Sequence, residues 1–525
     1  MKSYQAHLSS TNTQKSHIEV RKPVLKSSAI FPFVINKHMD TKILFLGYWL
    51  IKRSIKKIKI KINLRSRNGK LIKNKIININ QVKAFSVSLK DLLNKKTVNK
   101  TVTGSIELEL FSKYDMVYPY PALVVNFEGK NSSTVVHTCG RIYNDKKDLE
   151  DNNKFKVPET GVDILPDEKF KPFFSFVNGQ NKIASEKISI SIINSEGERY
   201  EKKMLIKNIL PYETKFIFFL DDNEKKFLKN KKGTVKIKHN FNSFFPRFLC
   251  GNFEKTEYNS TLTHSYYDTS NQSNLNTFWK NPNIKKFFDS SVSFPLFKEK
   301  KSYTELVVYP NFPKWKLNFD LEIYDCYGKL NKKIKKVLKI NKKLINPIYL
   351  NINNLLKVKK IKLNSRENYF VKLIANGGGK VPTRLKFGLN LGHQGKYDIP
   401  SNICFNAHVP NEKILTKPGT FKWGPMLNKF QSIITISNTS NLKVKNKNAK
   451  ILLKFWNELD KKCLEKTVKI NDNGSYWFDL SRQPKIKNFL KKKTGWVTIQ
   501  SDNPFVNGWY IEKSKYGIVG ADHLF

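Results

Sequence analysis

Residues 58–80 read IKIKINLRSRNGKLIKNKIININ. Ile58, Ile60, Ile62 and Leu64 fall on one side of an extended chain, and Lys59 and Lys61 fall on the other. Alternation with period two marks a half-buried strand, because successive side chains of a strand point to opposite faces. Asn68-Gly69 supplies a turn, and a second strand follows. The segment predicts a β-hairpin with one apolar face.

The same pattern recurs three more times. Residues 187–208 alternate at Ile188, Ile190 and Ile192, residues 316–341 at Leu317, Phe319, Leu321 and Ile323, and residues 450–471 at Ile451, Leu453 and Phe455. The turns keep step. Gly69, Gly197, Gly328 and then Asp460 are separated by 197 − 69 = 128, 328 − 197 = 131 and 460 − 328 = 132 residues. A short apolar stretch follows each hairpin, at 85–93, 215–222, 348–356 and 476–484, and then another strand, at 104–110, 233–240, 369–376 and 495–503. Four features in one order, four times, define an internal repeat.

With about seven short strands and few helical windows each, the copies predict an all-β chain. The expectation is a tandem array of four immunoglobulin-like antiparallel β-sandwich repeats of about 110–130 residues. The antibody Cys…Trp…Cys signature is missing. The repeats are placed at 26–147, 160–272, 290–410 and 413–525, after a disordered lead-in over 1–25. Polar bridges are expected at 145–159, 269–282 and 410–420. The segments at Pro211–Thr214 and Gly495–Pro504, with the strand–turn–strand pattern, resemble bacterial sandwich modules of adhesins and surface-associated proteins. That resemblance is one of pattern and places the chain in no named family.

The chain of 525 residues carries 95 Lys and Arg against 43 Asp and Glu, a formal charge of +52. The cations are almost all Lys, and Lys, Asn and Ile are abundant together, as an AT-rich coding bias would produce. Bidentate readout of bases favours Arg, so specific nucleic-acid recognition is not expected; salt-sensitive attraction to a polyanionic or glycan ligand is. Residues 1–20 hold no apolar core of the kind a secretory leader needs, and Ile43–Ile51 (ILFLGYWLI) is too short to span a bilayer and reads as a buried strand. No transmembrane segment is expected, and the location read from the sequence is cytoplasmic. Five cysteines cannot build a disulfide scaffold and read as small buried apolar residues.

The residues that would carry chemistry cluster where each repeat ends. Residues 133–145 contain His137, residues 260–271 contain His264 with Tyr266, Tyr267 and Asp268, residues 401–411 contain His408, and residues 516–525 contain Asp522 and His523. The first two histidines are 264 − 137 = 127 residues apart, which matches the repeat. Histidines with a carboxylate (His137, His264, Asp268, His408 and His523) would suit Zn, Fe or Mn if they met; the alternative is a histidine that only fixes the end of a sandwich. Arg247, within FFPRFLCGNF, and Arg384, within PTR, stand as possible anion holders, with Tyr266 and Tyr267 as rings to stack on a sugar; the alternative is core and edge strands. NGGGK at 376–380 lacks the spacing of a phosphate loop and reads as a hairpin turn.

No catalytic motif appears. The function expected is therefore non-enzymatic: a multidomain binding or scaffolding protein without a cofactor, contacting glycans or another polyanionic surface. The alternatives are a metal-dependent enzyme built on the repeat-end histidines, with a divalent metal such as Zn, and non-specific nucleic-acid binding.

Overall fold

The computed structural model describes residues 23–94, 100–143, 158–165, 167–256, 258–267, 278–281, 283–310, 317–340, 346–382, 386–395, 398–459, 462–517 and 519–525. It is a succession of four β-sandwiches, and one wiring serves all of them. In the first, the strands are β1 (Lys26–Ile35), β2 (Asp40–Leu46), β3 (Ile58–Ser66), β4 (Leu71–Ile79), β5 (Ala84–Ser88), β6 (Val102–Phe111), β7 (Leu123–Glu128) and β8 (Ser133–Val136). Its sheets run in the orders β1-β6-β3-β4 and β5-β2-β7-β8. The sets beginning at Glu159, Ser290 and Thr420 repeat both orders, all antiparallel; the second adds Tyr266–Tyr267 beside its first strand.

Compared with the immunoglobulin wiring, the second to sixth strands take the places of B, C, C′, E and F. The edges differ. The first strand lies beside the sixth, where G would pair with F, and the seventh lies beside the second, where A would pair with B.

The hairpin alternation is seen as expected. Ile58, Ile60, Ile62 and Leu64 are fully buried, as are Ile188, Ile190 and Ile192 and the corresponding residues of the third and fourth copies. Each such side chain contributes about 1.5–3 kcal/mol on leaving water. The hairpin turn is braced by the residue three before its glycine. Oδ1 of Asn194 accepts from the Glu196 and Glu198 amides, and Oδ1 of Asp325 from those of Tyr327 and Lys329. Asp460 lies outside the described residues.

Three expectations need correction. Ile43–Ile51 is not one strand: β2 ends at Leu46 and a short helix occupies Tyr48–Lys52. Glu159, placed in a bridge, is a buried strand residue. Cys326 and Cys463 are only half-buried, unlike Cys139, Cys250 and Cys404. The apolar stretch after each hairpin is a fifth strand running into a short helical turn, capped by Ser88, Asp221, Asn351 or Asp479. Among the described residues, no helix is long and apolar enough to cross a membrane.

The chain divides into two compact units, Met1–Asp268 and Thr269–Phe525, each holding two sandwiches. Inside both units the sandwiches join by the same device. The third-to-fourth-strand turn of the odd copy wedges against the start of the fifth strand of the even copy. In the first unit the Thr214 amide donates to the Arg67 carbonyl at 2.8 Å, and in the second the Ser475 amide donates to the Cys326 carbonyl at 3.0 Å. The apolar core runs across the junction: Ile30 and Ile142 join the core of the second sandwich, and Trp509, Ile511 and Val519 join that of the third.

Candidate functional site

The eighth strand of each sandwich is the last of its sheet, and in the first unit two eighth strands lie side by side. Asn131 and Ser260 donate backbone amides to Oδ1 of Asn259 and Oγ of Ser132, at 2.7 and 3.1 Å, and Oγ1 of Thr134 donates to the Ser260 carbonyl. This places the two repeat-end histidines together. The rings of His137 and His264 meet edge-on with centroids 4.8 Å apart, and Nδ1 of His264 lies 2.7 Å from the Ser265 carbonyl.

Next to them is a buried ion pair. Nη1 of Arg247 donates to the Ser265 carbonyl at 2.7 Å and lies 3.6 Å from Oε2 of Glu159, which also accepts from the Ser265 hydroxyl. Arg247 is 3% exposed and Glu159 fully buried. Arg247 therefore sits inside the fold rather than on a ligand-facing surface; its partner is 88 residues away in sequence (247 − 159), beyond the reach of a local reading. Tyr266 is also buried, against Gly161, rather than offered for stacking. The backbone of Tyr267 pairs with Glu159; its side chain, Asp268 and Arg384 lie outside the described residues. The thiol of Cys139 donates to the Arg247 carbonyl, and burial pushes its pKa up to about 12, so it stays protonated.

In the second unit the other two repeat-end histidines line one cavity. It has a volume of about 300 Å³ and is walled by His408, His523, Lys422, Asn507, Ser293 and Trp509, among others. Nδ2 of Asn507 donates to Nε2 of His408 at 3.0 Å and to the Phe505 carbonyl at 3.2 Å. The carbonyl fixes which end of the amide faces the ring, so Nε2 accepts and Nδ1 of His408 carries the proton. Burial pushes His408 down to about 4 and Lys422 down to about 8. Lys422 escaped notice in the sequence; the signal was a lysine between Phe421 and Trp423 on a strand whose other end is apolar.

The NGGGK loop is also explained. The amides of Gly377 and Gly379 converge on Oδ2 of Asp289 at 2.6 and 3.2 Å, so its anion-binding backbone is satisfied by a carboxylate of the same unit.

The folds and sites together define a chain of tandem antiparallel β-sandwiches joined in pairs. No protein-family model matches it, and no curated protein matches it. Among solved structures, a biofilm-associated protein BSP domain is similar at 10% identity over 95% of each chain, with a TM-score of 0.14. A glycosyl hydrolase family 2 member from Bacteroides cellulosilyticus is similar at 9% identity over 45% of this chain and 26% of its own, with a TM-score of 0.10. The FN1–FN3 domains of chicken CNTN1 are similar at 10% identity over 70% and 96%, with a TM-score of 0.09. Values this low carry nothing about function.

Proposed function

We propose that this protein is a non-enzymatic scaffold that contacts a polyanionic surface, an acidic glycan first of all. The observation that carries the reading is the fourth strand. In every sandwich it is a sheet edge that carries exposed lysine: Lys73 and Lys75 in the first, Lys203 and Lys207 in the second, a dense run in the third and Lys469 in the fourth. The densest is Leu330–Ile340, LNKKIKKVLKI, with Lys332, Lys335, Lys336 and Lys339 exposed. Lysines along an open edge also keep strands of different molecules from pairing, so charge there has a second use.

The test is binding of the whole chain to heparin by calorimetry at low and moderate salt. Affinity is expected to fall about tenfold from ~50 to ~200 mM NaCl, and about as much again on Lys332, Lys335, Lys336 and Lys339→Gln. A duplex DNA arm of equal charge reports the nucleic-acid alternative, which would bind at least as tightly as heparin. Absence of heparin binding at low salt, or an unaffected variant, overturns the proposal.

A second reading, a bound divalent metal such as Zn, is favoured by the His137–His264 contact. Mass-spectrometric metal analysis of the wild type and His264→Ala decides it. Near-stoichiometric Zn that falls in the variant supports it, and no metal in either leaves the histidines a structural role.

A further inference from the structure

The cavity between the third and fourth sandwiches gathers several hydrogen-bond donors without a negative charge to meet them. Its described lining contains no carboxylate. Nζ of Lys422 donates to the Leu524 carbonyl at 3.3 Å, one bond for three N–H groups. Trp509 is 3% exposed, and its indole N–H has no hydrogen-bond partner among the described residues. Asn507 holds His408 with Nε2 as acceptor and Nδ1–H as donor. The nearest acidic neighbour in sequence, Asp522, is buried; its Oδ1 accepts from the His523 amide at 2.8 Å and lies 3.9 Å from Nε2 of the same histidine, so it serves His523 and not Lys422 or Trp509. A half-buried amine with one acceptor and a buried indole N–H with none both gain from an acceptor that completes them.

The walls add a shape requirement. The rings of Phe405 and Trp509 meet edge-on with centroids 5.1 Å apart, and Leu524 closes the same cavity. At ~30 Å³ for each water-sized group, the space takes about ten heavy atoms.

We propose that this cavity is a binding site for a small organic carboxylate. Its carboxylate is held by Lys422 and Trp509 Nε1–H, and its apolar or ring-shaped body lies against Phe405 and Trp509. The four repeat-end histidines are then not equivalent: His408 and His523 wall a ligand site, while His137 and His264 contact each other. Desolvation holds the Lys422 amine down at about 8, and a carboxylate bound beside it would raise it again.

The probe is sodium benzoate, titrated into the full chain by calorimetry and followed by tryptophan fluorescence, with sodium acetate and sodium chloride at the same ionic strength as the other arms. Benzoate is expected to bind saturably with a dissociation constant between about 10 μM and 1 mM, acetate at least tenfold more weakly, and chloride not measurably. Lys422→Met replaces the amine with an apolar chain of similar length. It should melt at or above the wild-type temperature and lose at least tenfold in benzoate affinity. Trp509→Phe keeps the ring, removes the N–H, and should lose about fivefold, which decides the matter if Lys422→Met does not fold. Absence of saturable benzoate binding overturns the proposal, as does unchanged affinity in both variants. Equal affinity for acetate and benzoate overturns the role given to the aromatic wall.

Discussion

Gly328→Ala is expected to destabilise the second unit by about 3–4 kcal/mol, lowering its melting temperature by roughly 6–16 °C. Two effects add. Gly328 has φ +88°, a conformation that costs an L-residue about 1–2 kcal/mol. A Cβ there would also stand 2.2 Å from the Asp472 carbonyl oxygen of the neighbouring sandwich, a backbone atom that cannot swing away. The overlap pushes the two sandwiches apart where the Ser475 amide and the Asn471 side chain hold the turn. Gly69→Ala should do the same in the first unit, where the Cβ would lie 2.0 Å from the Pro211 carbonyl. The control is Gly378→Ala, with φ +71° and no atom within 4 Å of the added carbon, which should cost about 1 kcal/mol. Scanning calorimetry separates the two. If Gly328→Ala costs no more than Gly378→Ala, the turn is not a wedge.

Glu159→Gln should cost the first unit about 3–5 kcal/mol, because it leaves the Arg247 guanidinium buried without its counter-charge. The single substitution removes a charge while keeping the shape, so the loss measures electrostatics rather than packing. Adding Arg247→Met to it should restore at least about 2 kcal/mol, since the double variant buries no charge, and the glutamine amide oxygen that replaces the carboxylate can still accept from the Ser265 hydroxyl. Urea unfolding of the two single variants and the double variant closes the cycle. A Glu159→Gln loss under about 1 kcal/mol, or a double variant worse than both singles, would show that the pair does not hold this corner.

The legible part of this structure is the part with a short period. Ile58–Leu64 and its three counterparts alternate because one sheet face is buried, and a two-residue period survives in the sequence whatever else surrounds it. The helical turns after the fifth strands are too short for a 3.6-residue period to show, although their caps, from Ser88 to Asp479, were visible as residues. The pairing of sandwiches left almost no trace. Spacings of 128, 131 and 132 residues treat all four copies alike, and the glycines that mark the wedge in copies one and three have an equivalent in copy two. The histidines stood out because they recur near the repeat ends; what each one meets depends on the partner sandwich. Arg247 was misleading for the same reason: its aromatic neighbours are local, and its carboxylate is not.

The joint inside each unit also bears on how such a chain changes length over generations. Gly69 and Gly328 lie 328 − 69 = 259 residues apart, as do His264 and His523 (523 − 264 = 259), so the segment that repeats together with its wedged turn is a couple of sandwiches. Duplicating one copy alone would leave Trp509-like and Ile511-like side chains facing water on a new, unmatched domain. A gene of this design gains or loses sandwiches safely only in even steps.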